Sequence, residues 1–187
     1  MDRLPLPDLG DGVVHLRELQ TGDVTELVRW CQSDVEILRW VMRPDPFTER
    51  DATAWVLERL ARRSQGEQLT LAIVERDSDR LAGAIWLGRF DWIARRGELA
   101  DWVDAGFRGR RLGARAVTLM SAWALEEIGL VRFQILAPVQ NPASQGVALR
   151  AGFTREGVLR SYRSILGEHV DLVAFSRLRG DPQPAPF

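Results

Sequence analysis

The stretch from Glu98 to Gly152 sets the strongest limit on the fold. It runs through a strand-like segment (Glu98–Val103), a loop rich in glycine and arginine, an apolar helical pattern, a second strand-like segment (Val131–Pro138) and a second helix. A strand, helix, strand order is a crossover, and a crossover needs one sheet with a helix packed across it. The first helical pattern puts Leu112, Ala116, Leu119, Met120, Trp123 and Ile128 on one face and stops at Gly129. Asn141-Pro142 opens the second helix, with Asn as N-cap and Pro at the first helical position.

The flanking segments add antiparallel elements to this crossover. Val13–Gln20 reads as a strand ending in the turn Thr21-Gly22-Asp23, and Val24, Leu27, Val28 and Cys31 follow at helical spacing. Ser33 with Glu36 and Thr48 with Asp51 are capping-box patterns. The first predicts a short helix. The second predicts a longer one with Ala52, Trp55, Val56 and Leu60 on one face, stopped near Gly66. Gln68–Arg76 and Leu81–Phe90 flank the turn Asp77–Arg80, a hairpin pattern. Phe153–Tyr162 and His169–Leu178 are two more strand-like stretches, joined by a turn at Gly167. The fold class is therefore α/β around one mixed sheet, with one domain over residues 1–187. Residues 1–12 and the proline-rich 180–187 are expected to be loose ends.

Composition narrows the function classes. Net charge is −1, so a basic surface for nucleic acid would have to be local, and acidic residues (Glu98, Asp101, Asp104, Glu126, Glu127) flank the arginine-rich loop. Cys31 is the single cysteine, which rules out an intrachain disulfide, and its expected role is packing. His15 and His169 have no ligand-type spacing, so no metal is expected. No apolar run is long enough to span a membrane and the N-terminus lacks a signal-peptide pattern, so no membrane partner and a cytoplasmic location are expected.

The loop Asp104–Val117 ("DAGFRGRRLGARAV") carries Arg108, Arg110, Arg111 and Arg115 among Gly106, Gly109 and Gly113. Its place between a strand and a helix matters more than its charge. The first amides of a helix lack intrahelical partners and carry the positive end of the helix dipole. Glycines let the backbone approach a bulky anion, and arginines add forked donors. Together they suit a phosphate or pyrophosphate, although a solvated turn with a basic helix start has the same residues. The chain has no lysine, which excludes a Walker-type loop, and the glycines are misplaced for a dinucleotide fingerprint.

Two segments together resemble the GNAT N-acetyltransferases. "ELADWVDAGFRGRRLGARAV" is similar to that family's acetyl-CoA-binding segment, whose loop reads Gln/Arg-x-x-Gly-x-Gly/Ala. Arg108 takes its first position and Gly113 its last, and Arg111 stands where a glycine is usual. "NPASQGVALRAGFTREGVLR" resembles the Asn-x-x-Ser…Gly-Phe…Glu-Gly block of the Rim-type branch, which includes ribosomal-protein N-terminal acetyltransferases. Asn141, Ser144, Gly152, Phe153, Glu156 and Gly157 all fall at that spacing. "LRELQTGDVTELVRW" is similar to the branch's first strand and helix, so the resemblance covers about residues 13 to 178.

The resemblance implies a GNAT-like acyl-CoA N-acyltransferase fold, a mostly antiparallel twisted sheet flanked by helices. It implies transfer of an acetyl group from acetyl-CoA to an amine in a ternary complex, without a metal. The anion cradle would be the amides of Arg108, Gly109, Arg110, Arg111, Leu112, Gly113 and Ala114, with Arg108 and Arg110 as added charge. Arg111 is expected to take helical geometry there. Asp101, Trp102 and Val103 would pair through their main chain with the pantetheine arm, and the Val103 amide would polarise the thioester carbonyl. Asn141 would hydrogen-bond the pantetheine while also capping its helix. Many members carry a tyrosine where this chain has Ala148, so the resemblance gives the thiolate's proton donor as Ser144, which otherwise is a common first-turn residue. Tyr162, the only tyrosine, is a backup donor or a plain strand aromatic.

The base that takes the amine's proton would be Glu98 or Asp101. They are three apart on a strand, so they face opposite sides of the sheet. Glu98 is favoured by resemblance, with an ordinary strand carboxylate or a water as the alternatives. Trp30, Trp55 and Trp123 fall on apolar helix faces and read as core. Trp40, Trp86, Trp92 and Trp102 do not, and Trp40 with Met42 and Phe47 is expected to wall the acceptor site. Dimers are usual in the family, so the resemblance admits a homodimer, while the residues themselves do not give the oligomeric state. Two alternatives share the fold: a non-catalytic acyl-CoA- or partner-binding module, and a transferase that uses another donor such as succinyl-CoA.

Overall fold

The computed structural model describes residues 3–41, 46–165 and 167–187. Met42 lies outside them. Eight strands form one sheet in the order β1-β2-β3-β4-β5-β6-β8-β7. They are β1 (Leu9–Gly10), β2 (Val14–Glu18), β3 (Gln68–Glu75), β4 (Arg80–Asp91), β5 (Arg96–Val103), β6 (Arg132–Pro138), β7 (Thr154–Ile165) and β8 (Glu168–Leu178). Every neighbouring pair is antiparallel except β5 with β6. That exception is the crossover read from Glu98–Gly152. Among the described residues no helix is long and apolar enough to cross a membrane.

The central strands β3 and β4 are largely buried on both faces, whereas the edge strand β7 is mostly exposed. Alternation in β3 sends Leu69, Leu71 and Ile73 to one side and Ala72 and Val74 to the other. The first side packs against α4 (Leu112–Glu126) and α5 (Pro142–Arg150) through Leu112, Ala116, Val117, Met120 and Ala148. The second packs against α1 (Val24–Ser33), α2 (Val35–Val41) and α3 (Glu49–Ser64) through Leu27, Trp30, Ile37, Ala52 and Val56. Trp30, Trp55 and Trp123 lie in these cores as expected.

The capping residues place the helices. Thr48 and Asp51 form the expected reciprocal box at α3, and Asn141 caps α5 by accepting from the Ser144 amide (3.1 Å). The Ser33–Glu36 box does not form. Ser33 ends α1, its hydroxyl donating to the Trp30 carbonyl (3.5 Å), and the Asp34 carboxylate takes the Glu36 amide instead (3.0 Å). Asp34 sits one residue nearer the helix and carries the stronger acceptor.

Both ends of the chain are tied down, contrary to expectation. Leu4 is fully buried and exchanges hydrogen bonds with Arg63, while Leu9–Gly10 pairs with β2. At the other end Gln183 accepts from the buried Arg177 (2.9 Å), and the Phe187 ring lies under the Arg115 guanidinium. Isolated prolines and aspartates gave no sign of these long-range partners.

Candidate active site

The two parallel strands pair only at Arg96–Arg132, Gly97–Phe133 and Glu98–Gln134. Beyond that point they part. β6 continues beside β8 to Pro138, and β5 continues beside β4 to Val103. The Asp104 amide donates to Ala82 on the β4 side (2.9 Å). Successive peptide groups point to opposite edges of a strand, so those of Asp101 and Val103 point into the fork. The Val103 carbonyl accepts from Arg108 (3.1 Å); hydrogen-bonding edges left without partners are costly, and the amides of a ligand could pair with the groups that remain.

A cavity of about 1400 Å³ passes through the fork from one face of the sheet to the other. One small ligand usually takes about 300–1,000 Å³, so this cavity has room for two substrates. The α4–α5 mouth is lined by Arg108, Gly109, Arg111 to Ala114, Asn141, Ala143, Ser144, Val147 and Arg150. The α2–α3 mouth is lined by Ile37, Trp40, Trp55, Arg59, Trp86, Trp92, Glu98, Trp102 and Arg163 among others.

The first mouth is built to receive an anion. No side chain caps α4, whereas α3 and α5 are both capped. Its first amides therefore face the cavity with the dipole behind them. Arg111 corrects the expectation of helical geometry. It is the N-cap residue and its φ is 63°, in the left-handed region. An L-residue pays about 1–2 kcal/mol there and glycine does not, which explains why glycine suits this position. Here the chain accepts that cost and gains a guanidinium on the cavity wall, without a carboxylate partner among the described residues. Gly113 has a different reason to be glycine. A Cβ there would sit 2.6 Å from Asp101 Oδ2 and 3.3 Å from Val103 Cγ2.

Three expected cradle residues do something else with their side chains. Arg108 donates to the Val103 carbonyl (3.1 Å) and pairs with Asp34, so its charge locks the loop to the start of α2. Arg110 turns away from the cavity and pairs with Glu75. Trp102 packs edge-on against Trp30 on the α1–α3 face, opposite the cradle, with ring centroids 4.8 Å apart. The main chains of Arg108 and Arg110 stay in the loop, but that of Trp102 faces β4 opposite Ala84 and not the fork, which corrects its expected pairing with the pantetheine arm.

Ser144 and Asn141 come together at the α5 end of the fork, both lining the cavity. Only Asn141 Oδ1 is used by the cap, which leaves its amide nitrogen to donate elsewhere. Tyr162 does not join them. It is exposed on β7, the outermost strand, and does not line the cavity. Glu156 is also outside. It accepts two hydrogen bonds from Arg132 (2.8 and 2.6 Å) and one from Ser176 (2.7 Å), which hold its carboxyl down at about 2 and clamp β6, β7 and β8 together.

Glu98 and Asp101 lie on opposite faces, as their spacing requires. Glu98 is buried at the α2–α3 side, accepting from Gln134 (3.3 Å) and facing Arg163 (3.5 Å) and Arg89 (3.7 Å). The two arginines have no spacing relation to Glu98, so only the folded sheet brings them there. Asp101 lies on the α4 side with no side-chain partner among the described residues. Burial pushes its carboxyl up to about 7, against a smaller opposing effect of its own amide.

That shift makes a pH prediction. The folded value lies above the unfolded 3.8, so the folded state holds the proton more tightly and loses stability as pH rises from about 4 to 7. Three units correspond to about 4 kcal/mol at most. Asp101→Asn should raise the Tm at pH 8 by several degrees and leave it nearly unchanged at pH 4. Thermal melts of the two proteins across pH check this, and equal gains at both pH values would contradict it.

Among the described residues no group of three or more His, Cys, Asp or Glu side chains is placed to hold a metal ion. Comparison with known proteins adds the family. The Bacillus subtilis protein YdaF is 35% identical over 99 residues, which are 53% of this chain and 54% of that protein. The Escherichia coli ribosomal-protein-serine acetyltransferase is 29% identical over 100 residues, 54% of this chain and 56% of its own length. The chain thus spans about half the length of these two curated relatives. Mycobacterium smegmatis RimJ, solved in complex with CoA-disulfide, is similar in fold, with a TM-score of 0.85 at 19% identity over 96% of this chain and 90% of that one. The sequence model of the acetyltransferase (GNAT) domain matches residues 14–154 and takes in the forked strands, the uncapped helix and Asn141 with Ser144, so the chain belongs to that family.

Proposed function

We propose that the protein transfers the acetyl group of acetyl-CoA to a primary amine, by direct attack with both substrates bound. The observation that carries this reading is the single cavity through the β5–β6 fork. An uncapped helix N-terminus meets it at one mouth, and a buried carboxylate among tryptophans meets it at the other. The residues present fit acetyl-CoA, because the α4 amides lie open to the cavity and Arg111 on its wall has no carboxylate partner among the described residues.

In this reading the amides of Leu112, Gly113 and Ala114 hold the pyrophosphate, helped by Arg111. The peptide groups of Asp101 and Val103 and the Asn141 amide hold the pantetheine arm. Bound acetyl-CoA supplies the activated acyl group as a thioester. The Val103 amide stabilises the charge that develops on the carbonyl oxygen. Glu98, reached from the other mouth, takes the proton from the incoming amine. Ser144 donates a hydrogen bond or proton to the departing thiolate. The name of the Escherichia coli relative makes the N-terminus of a ribosomal protein one acceptor to test.

The test is thiol release from acetyl-CoA across a panel of amines, amino-terminal peptides and aminoglycosides. Release should require an acceptor. Asn141→Ala combined with Ser144→Ala should lower turnover about 100-fold or more, while Tyr162→Phe stays within about twofold of the unaltered protein. Normal turnover in the double variant would contradict the site, and tight CoA binding with no transfer to any amine would contradict the activity.

A further inference from the structure

Five of the chain's seven tryptophans line the cavity, and three of these, Trp40, Trp55 and Trp86, surround its α2–α3 mouth on two sides. The sheet beneath them has a small-residue floor. Trp86 lies opposite Ala100, and Gly88 lies opposite Glu98, so all four share one face. A Cβ at Gly88 would meet Trp86 Cζ3 and Gln68 Cγ at 3.2 Å and Trp86 Cε3 at 3.4 Å, so the edge of the indole packs close over Gly88. Trp86 lines the cavity together with Trp55 on α3 and Trp40 on α2. Glu98 is two residues along β5 from Ala100, about 7 Å away.

We propose that the acceptor carries a planar aromatic group close to its amine, and that this group lies on the Trp86 indole with the amine directed at Glu98. The inference rests on the acetyl-transfer reading and names the class of acceptor for that site. A flat slot floored and walled by indoles favours an aryl ring over a saturated ring of the same size, because offset and edge-on aromatic contacts add to simple burial. Arg39 and Arg59 already lie over the Trp40 and Trp55 rings, 4.6 and 5.5 Å from their centroids, so cation–π attraction on a cationic amine is assigned to Trp86, which passes it to Glu98. Glu98 keeps its own position through Gln134 and Arg163, so it can meet the amine without rearranging. Two kinds of molecule share this chemistry, a free arylalkylamine and a polypeptide with an aromatic first residue.

The experiment compares kcat/KM for 2-phenylethylamine, 2-cyclohexylethylamine, a peptide beginning with Phe and the same peptide beginning with Ser, in the full chain, in Trp86→Ala and in Trp86→Phe. Acetyl-CoA affinity is measured in each protein as a control. At least one aromatic acceptor should exceed its non-aromatic partner about tenfold. Trp86→Ala should erase that ratio and Trp86→Phe should restore most of it. The two aromatic arms tell a free amine from a chain terminus. Acetylation with no aromatic preference, or a preference that survives Trp86→Ala, overturns the proposal and leaves acetyl transfer standing. Binding of acetyl-CoA without acetylation of any of the four overturns it together with the reading it rests on.

Discussion

Gly113→Val should reduce CoA affinity at least 100-fold while the chain stays folded. The position is the second residue of α4, where a glycine ordinarily costs about 1 kcal/mol relative to alanine. Propensity alone therefore favours replacing it. The structure says why that gain is not taken. A Cβ would fall 2.6 Å from Asp101 Oδ2 and 3.3 Å from Val103 Cγ2 on β5, and 3.6 Å from Val147 Cγ2 on α5. The bulkier side chain must push Asp101 aside or tilt the first turn of α4, and either movement disturbs the amides meant for the anion. Calorimetric titration with CoA measures the affinity and a thermal melt confirms the fold. Gly113→Ala with Asp101→Ala should recover part of the affinity that Gly113→Ala loses, because the nearest obstacle is gone. Unchanged affinity in Gly113→Val would mean that the anion does not bind at α4.

Glu98→Gln should lower kcat by a factor of about 100 to 10,000 with little change in CoA affinity. Glu98 faces the α2–α3 mouth, across the sheet from the cradle, so its loss should be felt in proton removal. Glutamine keeps the size and can still accept from Gln134 and the arginines, but it cannot take a proton. The substitution also leaves Arg89 and Arg163 without their carboxylate, which weakens the fold locally. The pH profile separates the two effects. A base role predicts that raising the pH, which deprotonates the free amine, recovers part of the lost rate. A structural role alone predicts a uniform loss at every pH. Turnover close to that of the unaltered protein would assign the proton to water.

Some elements that lie within a single turn of chain were legible in the sequence, although the Ser33–Glu36 box and helical geometry at Arg111 are expectations the structure corrects. Thr48 with Asp51 and Asn141 with Pro142 carry their own helix starts, and the structure shows the caps they imply. The opposite facing of Glu98 and Asp101 followed from strand alternation in the same way. The fork was not legible, because it depends on where β6 leaves β5, and that is decided by β8 pairing from residues about 40 positions later. Arg108 looked like a phosphate ligand from its loop, yet its partner Asp34 lies 74 residues away. Trp102 shows a subtler limit. Strand parity turns its peptide group to β4, opposite Ala84, and its indole to the face opposite the cradle. Trp86, Ala100 and Glu98 form one face only once the β4–β5 register is known.

A crystal structure of the chain with CoA should show the pyrophosphate on the amides of Leu112, Gly113 and Ala114, the pantetheine arm along Asp101–Val103 inside the fork, and the sulfur near Ser144 with a clear path to Glu98. CoA bound outside the fork, or with its sulfur shut off from the tryptophan-lined mouth, would contradict this arrangement.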